Sequence, residues 1–269
     1  MSKDKTWQLA SRVFITGQIM LVSDLHIGAD DLSVSGEYYF ASPNNPIIRD
    51  YKNDPMIPAS SLKGCMRSEM DLQYHKFMIA NEDSREGEVV KLLRKGNKSI
   101  GAVLCNNPNC WVEKVFGRPS NDPLREPTRL QVCDSLIEEK VESIVRTENA
   151  IHRILSSANP RKSEYVPAGT KFNVQLVYTI FDYDDYEKGI PLVLQALNAI
   201  QDSGIGGGRS RGGGRIKLIN LKMTEKTFNH YKEGIDPDVI VSEQATIEDM
   251  QKEYKTWLNG KEVDDKGNA

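Results

Sequence analysis

Gly204-Ile-Gly-Gly-Gly-Arg-Ser-Arg-Gly-Gly-Gly-Arg-Ile-Lys-Leu218 joins two segments of different periodicity. Upstream, Ile190, Leu194, Leu197 and Ile200 recur at helical spacing, and Gly204 stands where a helix usually stops. Downstream, Ile216, Leu218 and Ile219 begin a strand-like run. The stretch is therefore a helix-to-strand loop anchored at both ends. Seven of the eleven residues from Gly204 to Gly214 are glycine, so the chain can take positive φ and bring its amides close to a ligand. Arg209, Arg211 and Arg215 sit among them. Backbone donors beside guanidinium groups suit phosphate oxygens, and RNA is the first candidate. No Gly-Lys-Ser/Thr follows for a P-loop, and the segment leads into a strand rather than a helix, which argues against an ATPase or a dinucleotide-binding fold.

Working outward, Lys171 to Phe181 places Phe172, Val174, Leu176, Tyr178 and Ile180 on one face of a half-buried strand. Residues 7–22 alternate loosely and read as one or two strands ending at Leu25-His-Ile-Gly28. A loop rich in Asp, Ser, Asn and Pro follows to residue 54, and Ile57-Pro-Ala-Ser-Ser-Leu-Lys-Gly64 then opens a helix. Ser60 or Ser61 is its expected N-cap, with Leu62, Cys65, Met66, Met70 and Phe77 as the apolar stripe. Residues 81–126 are charged and rich in Asn, Gly and Pro, marking an insertion, and Thr128 to Asp134 resumes strand character. Strand, helix, two strands, helix, strand is the order of an α+β, ferredoxin-like βαββαβ core carrying insertions. The last dozen residues, Leu258 to Ala269, lack a core-forming pattern and read as a disordered tail.

With 39% apolar residues in 269, the chain can bury a sizeable core. Its net charge of -3 means that any nucleic-acid surface must come from local clustering of basic groups. No stretch reaches membrane-spanning length and the N-terminus lacks a signal-peptide run, so a cytoplasmic protein is expected. Four cysteines make no disulfide framework in so long a chain. Cys105 and Cys110 are candidate zinc thiolates, with His75, Cys65 or Glu113 available to complete a site; two packed thiols are the alternative.

Four segments in order, Leu25-His-Ile-Gly28, Ile57-Pro-Ala-Ser-Ser-Leu-Lys-Gly64 continuing to Arg67, Pro127-Thr-Arg-Leu-Gln-Val-Cys-Asp134, and Gly206 to Gly214, resemble the RAMP superfamily of CRISPR proteins. Within it they are similar to the backbone subunit of type III-A (Csm-type) effector complexes, over most of the chain. Thr147 to Arg153, running on to Ala158-Asn-Pro-Arg161 and Val166-Pro-Ala-Gly169, looks like that subunit's thumb.

The resemblance implies a modified RNA-recognition fold, one RAMP domain over residues 1–258, with insertions at roughly 29–56, 81–126 (a candidate zinc-binding insertion) and 134–170 (the thumb), and a disordered tail from 259 to 269. Its implied partners are guide RNA, target RNA, further copies of itself and other type III subunits. RNA contacts are expected from His26, Ser60, Ser61, Lys63, Arg67, Arg161, Gly207, Gly208, Arg209, Ser210, Arg211 and Gly213. Lys63 and Arg67, one turn apart near a helix start, are read as sharing a phosphate. Asn159 to Val166 is the expected wedge, with Arg161 and Lys162 holding the displaced backbone.

Backbone subunits of this kind cut target RNA with an aspartate just before a Pro-(Ile/Val)-Ile-(Arg/Lys)-Asp stretch. Here that stretch is Pro46-Ile-Ile-Arg-Asp50, and the aspartate's position holds Asn44. Asparagine cannot hold a divalent ion by charge or draw a proton from a ribose hydroxyl. A subunit that binds but cuts poorly is the first expectation. The alternative is relocated catalysis from Asp30, Asp31 or Glu37, with Mg or Mn required if cutting is retained. A third reading makes His26 the general base of a guide-processing endoribonuclease.

Overall fold

The computed structural model describes residues 7–29, 45–78, 89–91, 94–95, 98–99, 105, 107–118, 122–151, 154 and 158–267. In chain order the elements are β1 (Ser11–Leu21), β2 (Met56–Ile57), α1 (Ala59–Tyr74), β3 (Lys76–Met78), β4 (Val89–Lys91), β5 (Arg94–Lys95), β6 (Lys98–Ser99), α2 (Trp111–Phe116), β7 (Leu130–Val132), β8 (Ser135–Leu136), β9 (Ile144–Ile151), β10 (Ala158–Tyr165), β11 (Lys171–Ile180), α3 (Ile190–Ser203), β12 (Ile216–Thr227), α4 (Phe228–Glu233), β13 (Asp238–Gln244) and α5 (Ile247–Gly267).

The main sheet has the order β13-β12-β1-β11-β7, antiparallel at each pairing. Without the added edge strand β13, this is the 4-1-3-2 order of a ferredoxin-like βαββαβ unit, whose two crossovers carry α1 and α3. Strand alternation drives the assembly. Val13, Ile15, Ile19 and Leu21 of β1 are buried together with Phe172, Val174, Leu176, Tyr178 and Ile180 of β11, while the intervening residues face away. α3 closes the buried face with Ile190, Val193, Leu194, Leu197 and Ile200.

The turn into α3 is tied by a buried carboxylate. Asp185 accepts from the Phe181 amide (2.8 Å), Tyr178 Oη (3.0 Å) and Arg129 Nε (3.1 Å). Arg129 is itself buried, with its guanidinium over the Trp7, Trp111 and Phe181 rings. Removing either partner would strand a charge in the core at about 3–5 kcal/mol.

Two expectations change. The N-cap of α1 is Pro58, not Ser60 or Ser61, and the Ala59 amide is met by Asp134 Oδ1 at 2.7 Å. A carboxylate distant in sequence thus does the capping, which local propensity cannot reveal. The expected tail from 259 is helical as far as Gly267. α5 is anchored by buried Ile247, Met250 and Tyr254, with Trp257 and Leu258 packed on the core. Lys261 lies over the Tyr186 ring (3.9 Å) and 3.3 Å from Glu225.

Candidate nucleic-acid interface

The glycine-rich loop is a folded object. Gly204, Gly206, Gly208, Gly212 and Gly214 have φ between +69° and +84°, and residues Arg209–Arg211 form a single 3-10 turn. The loop is laid against the segment after β1. The Gly207 amide donates to the His26 carbonyl (2.8 Å), the Gly214 amide to the Asp24 carbonyl (2.9 Å), and the Arg215 amide to Ser23 Oγ (2.9 Å). Gly206 approaches so closely that a Cβ there would stand 2.5 Å from the His26 oxygen. Glycine is required at that point by contact as well as by φ.

Much of the expected free-amide nest is therefore used internally. Besides Gly207, the Arg211 and Gly213 amides donate to the Gly208 carbonyl (2.8 and 3.2 Å). The Gly207 and Gly213 amides are thus taken and do not serve as phosphate donors, though both residues line the cleft beside the crest of Gly208, Arg209 and Ser210. Arg209 and Arg211 project from it; Arg209 is 40% exposed and 3.8 Å from Glu69 of α1.

Across from the crest stands the root of the β9–β10 hairpin, and between them is a cleft of ≈ 270 Å³ lined by Asp24, Arg146, Glu148, Tyr165, Gly208 and Arg211 among others. Arg146 pairs with Asp24 and lies over the Tyr165 ring. Tyr165 Oη donates to Glu148 Oε1 (2.5 Å). That bond, joined by Arg161 and by the charge of Arg211, holds the Glu148 carboxyl below its usual range. Burial, and then Glu148, raises the Tyr165 phenol. Arg161 is committed to Glu148 through Nε (3.2 Å) and Nη2 (3.0 Å), but at half exposure such a pair is weak and readily exchanged for phosphate.

His26 lies at the join between loop and hairpin. Its Nδ1 is 2.7 Å from the Glu164 carbonyl, which can only accept, so Nδ1 carries a proton. The ring rests against Tyr165 at 5.5 Å between centroids.

Lys63 and Arg67 do not form the expected phosphate site. Lys63 Nζ donates to the Leu130 carbonyl at 2.7 Å, and burial, helped by neighbouring Arg67, lowers its pKa. Arg67 donates to the Gly117 carbonyl (2.6 Å), to Glu113 (3.0 Å) and to Asp71 (3.3 Å). Both side chains staple α1 to its surroundings. Ser60 is exposed and Ser61 half-buried in the first turn of the same helix.

Asn44, Asp30, Asp31 and Glu37 lie outside the described residues. The strap that follows is well defined. The Asn45 amide donates to the Lys162 carbonyl (3.2 Å), and the Glu164 amide to the Asn45 carbonyl (3.0 Å). Glu164 takes the Ile47 amide (3.0 Å), Arg49 (2.5 Å) and Ser143 Oγ (2.5 Å). Burial opposes its ionisation, but these donors outweigh it and hold the carboxyl below its usual range. Arg49, Arg146 and Glu148 are candidate-interface residues that sequence reasoning did not single out, and Glu164 and Tyr165 enter it only as part of the expected wedge. On β10 Ser163 and Tyr165 share one face and Glu164 lies on the other. Asn159 to Tyr165, within the expected wedge, is strand, and among the described residues between β9 and β10 Ile154 is 86% exposed.

His75, Cys105 and Cys110 place their donor atoms within 4.8 Å of one another. His75 Nε2 is 3.2 Å from Cys110 Sγ, and its Nδ1 meets Asp71 Oδ1 at 2.9 Å. An imidazole oriented by a carboxylate beside two thiols is a zinc-type donor set. Burial, with Cys105 adjacent, pushes the Cys110 thiol up to about 12, a cost that a bound cation would offset. Of the three residues considered beside the cysteines, His75 joins them. Glu113 is spent on Arg67 and the Cys105 amide, and Cys65 is outside the cluster.

Residues 18–217 match the family model of the RAMP superfamily. Among curated proteins, the CRISPR system Cms endoribonuclease Csm3 of Methanothermobacter thermautotrophicus is 31% identical over 230 residues, 81% of this chain and 88% of that protein. The Csm3 of Methanocaldococcus jannaschii is 28% identical, covering 93% and 96%. Among solved structures, a chain of the Csm3-Csm4 subcomplex of the type III-A CRISPR-Cas interference complex shares the fold with a TM-score of 0.57 at 21% identity, over 93% of this chain and 97% of that one. A chain of the type III-B Cmr-beta complex bound to cognate target RNA has a TM-score of 0.52 at 16% identity, over 79% and 61%. Among the described residues no helix is long and apolar enough to cross a membrane.

Proposed function

The chain belongs to the RAMP superfamily, and within it to the Csm3 family, and from that premise we propose that it is a guide-RNA-binding backbone subunit of a type III CRISPR RNA-targeting complex. The observation that carries this reading is the cleft between the glycine crest and the hairpin root, with Arg211 on one wall and Arg146 on the other. Two guanidinium groups and a rigid glycine backbone suit phosphate, and Tyr165 supplies an aromatic face within reach of a base. His26 Nε2, left open by the Nδ1 bond to the Glu164 carbonyl, suits a ribose 2′-hydroxyl, which can donate or accept. Arg161 exchanges Glu148 for the RNA backbone, and Ile154 near the hairpin turn is the candidate wedge between nucleotides.

Target cutting is weakened or lost in this reading. The curated relatives are named endoribonucleases, while Asn44 here lacks the carboxylate expected two residues before Pro46. Those names favour a second reading, in which Asp30 or Asp31 takes over with Mg or Mn. His75, Cys105 and Cys110 would hold a structural zinc that ties α1 to the turn before α2, where a bound cation supplies charge compensation for the thiolates.

The test is the RNA and proteins that purify with the chain. Short RNAs sharing a constant 5′ end, with other subunits of the complex, are expected; their absence would return the chain to a generic RNA-binding fold. In the assembled complex, Asn44→Asp should raise metal-dependent target cutting at least 10-fold. Robust cutting by the unaltered complex that disappears on Asp30→Ala/Asp31→Ala would replace the first reading with the second.

A further inference from the structure

The main sheet has a second face, turned away from α1 and α3, that the cleft does not use. Alternation places Arg12, Phe14, Thr16, Gln18 and Met20 of β1 on it, since their neighbours Val13, Ile15, Ile19 and Leu21 are buried. On β11 the same rule exposes Lys171, Asn173 and Gln175 and leaves Val177 and Thr179 half-buried on the same face. On β12 it exposes Lys217, and past the irregularity near Asn220 it exposes Lys222 and leaves Lys226 half-buried.

The register brings these cations into rows. Lys217 and Lys171 flank Met20, Lys222 lies beside Thr16, and Lys226 lies beside Arg12. Five cations therefore face one side of a sheet in a chain whose net charge is -3. The first of the acids near this face, Glu138, accepts a hydrogen bond from Gln18 (2.7 Å), and Asp238, at its corner, lies 3.4 Å from His230 Nε2. Aromatic surface stands at the same corner, where Arg12 and Lys226 lie 5.8 and 5.1 Å from the Tyr231 ring centroid and Phe228 is 65% exposed. Phe14 occupies the centre of the face.

We propose that this open sheet face is a second binding surface for single-stranded RNA, separate from the cleft between the glycine loop and the hairpin root. Protein interfaces are depleted in lysine. Here five cations ring a face on which Thr16, Gln18, Asn173 and Gln175 lie among Phe14, Met20, Val177, Ile219 and Val239. Cations that track a backbone, amide side chains that meet base edges, and scattered aromatic rings are the composition of a single-strand platform. With β1 of 11 residues, the platform runs ~30 Å, long enough for several nucleotides.

The test separates this surface from the cleft by judging it after the cleft is disabled. Full-length protein is compared in four forms: unaltered, Arg209→Glu/Arg211→Glu, Lys217→Glu/Lys222→Glu, and all four changes together. Binding of a labelled 20-nucleotide oligouridine is followed by anisotropy across a salt series, with far-UV circular dichroism to establish that each form is folded. The loop variant should keep measurable affinity. Adding the lysine changes should then weaken binding at least 10-fold and lower the salt slope by about 1.4 for two lost phosphate contacts. If the four-change protein binds as the loop variant does, the proposal fails, whatever the loop variant itself shows. If polyglutamate displaces the RNA as well at equal charge, the face is a docking site for an acidic protein and the RNA assignment fails.

Discussion

Replacing Gly206 with alanine tests whether the glycine loop is held by contact or merely allowed by flexibility. Gly206 has φ +74°, and an added Cβ would stand 2.5 Å from the His26 carbonyl oxygen and 2.9 Å from Leu25 Cδ1. Alanine in the left-handed region costs about 1–2 kcal/mol. The clash costs more, because its first partner is backbone and cannot swing aside. Relieving it pulls the loop off the strand end and sacrifices the Gly207 amide to His26 bond (2.8 Å), worth about 1 kcal/mol. Gly208 is the matched control, since its φ is +72° and nothing lies within 4 Å of the added atom. Gly208→Ala should cost only the conformational penalty, and Gly206→Ala about 1–3 kcal/mol more. Equilibrium urea denaturation of the two variants measures the difference directly. RNA affinity should fall at least 10-fold further for Gly206→Ala, because the crest residues lose their position. Equal stabilities for the two variants would refute the close-approach account.

Arg209→Ala/Arg211→Ala should weaken RNA binding regardless of base sequence and lower the salt slope by about 1.4, measured by anisotropy at several ionic strengths; an unchanged slope would remove both residues from the phosphate contacts. Glu164→Gln should cost about 1–3 kcal/mol at pH 7 by weakening the bonds to Arg49, Ser143 and the Ile47 amide. Since the folded carboxyl titrates below its ordinary 4.5, its contribution is complete above that pH and is lost as the pH falls through the depressed value. The gap between the two proteins should therefore close on acidification, and a gap constant down to pH 3 would contradict the assignment. Cys105→Ser/Cys110→Ser should abolish zinc in elemental analysis and lower the Tm; less than about half an equivalent of zinc in the unaltered protein would favour packed thiols instead.

The order of strands and helices was legible in the chain because period-2 alternation in 171–180 and helical spacing in 190–203 report the buried face directly, whatever the fold around them. Composition likewise marked the glycine loop, and the motif order marked its family. Side chains whose partners lie far along the chain were not legible. Lys63 and Arg67 look like a phosphate pair one turn apart, and only folding brings the Leu130 and Gly117 carbonyls and Glu113 to them. Asp134 caps α1 from 75 positions away. The glycines of the loop were read as freeing amides for a ligand, whereas packing on His26 and Asp24 spends several of them inside the protein. The hairpin's charged residues look like an ordinary solvated strand until Glu148, Tyr165 and Arg146 meet Arg211 across the cleft. What the sequence by itself determined is the core set β1, α1, β7, β11, α3 and β12, since each rests on short-range periodicity, while β13 and α5 did not show in it. What only the tertiary structure decided is which charges are spent on the protein and which face its ligand, since a buried carbonyl or carboxylate claims a cation by proximity, and proximity across loops is created by folding.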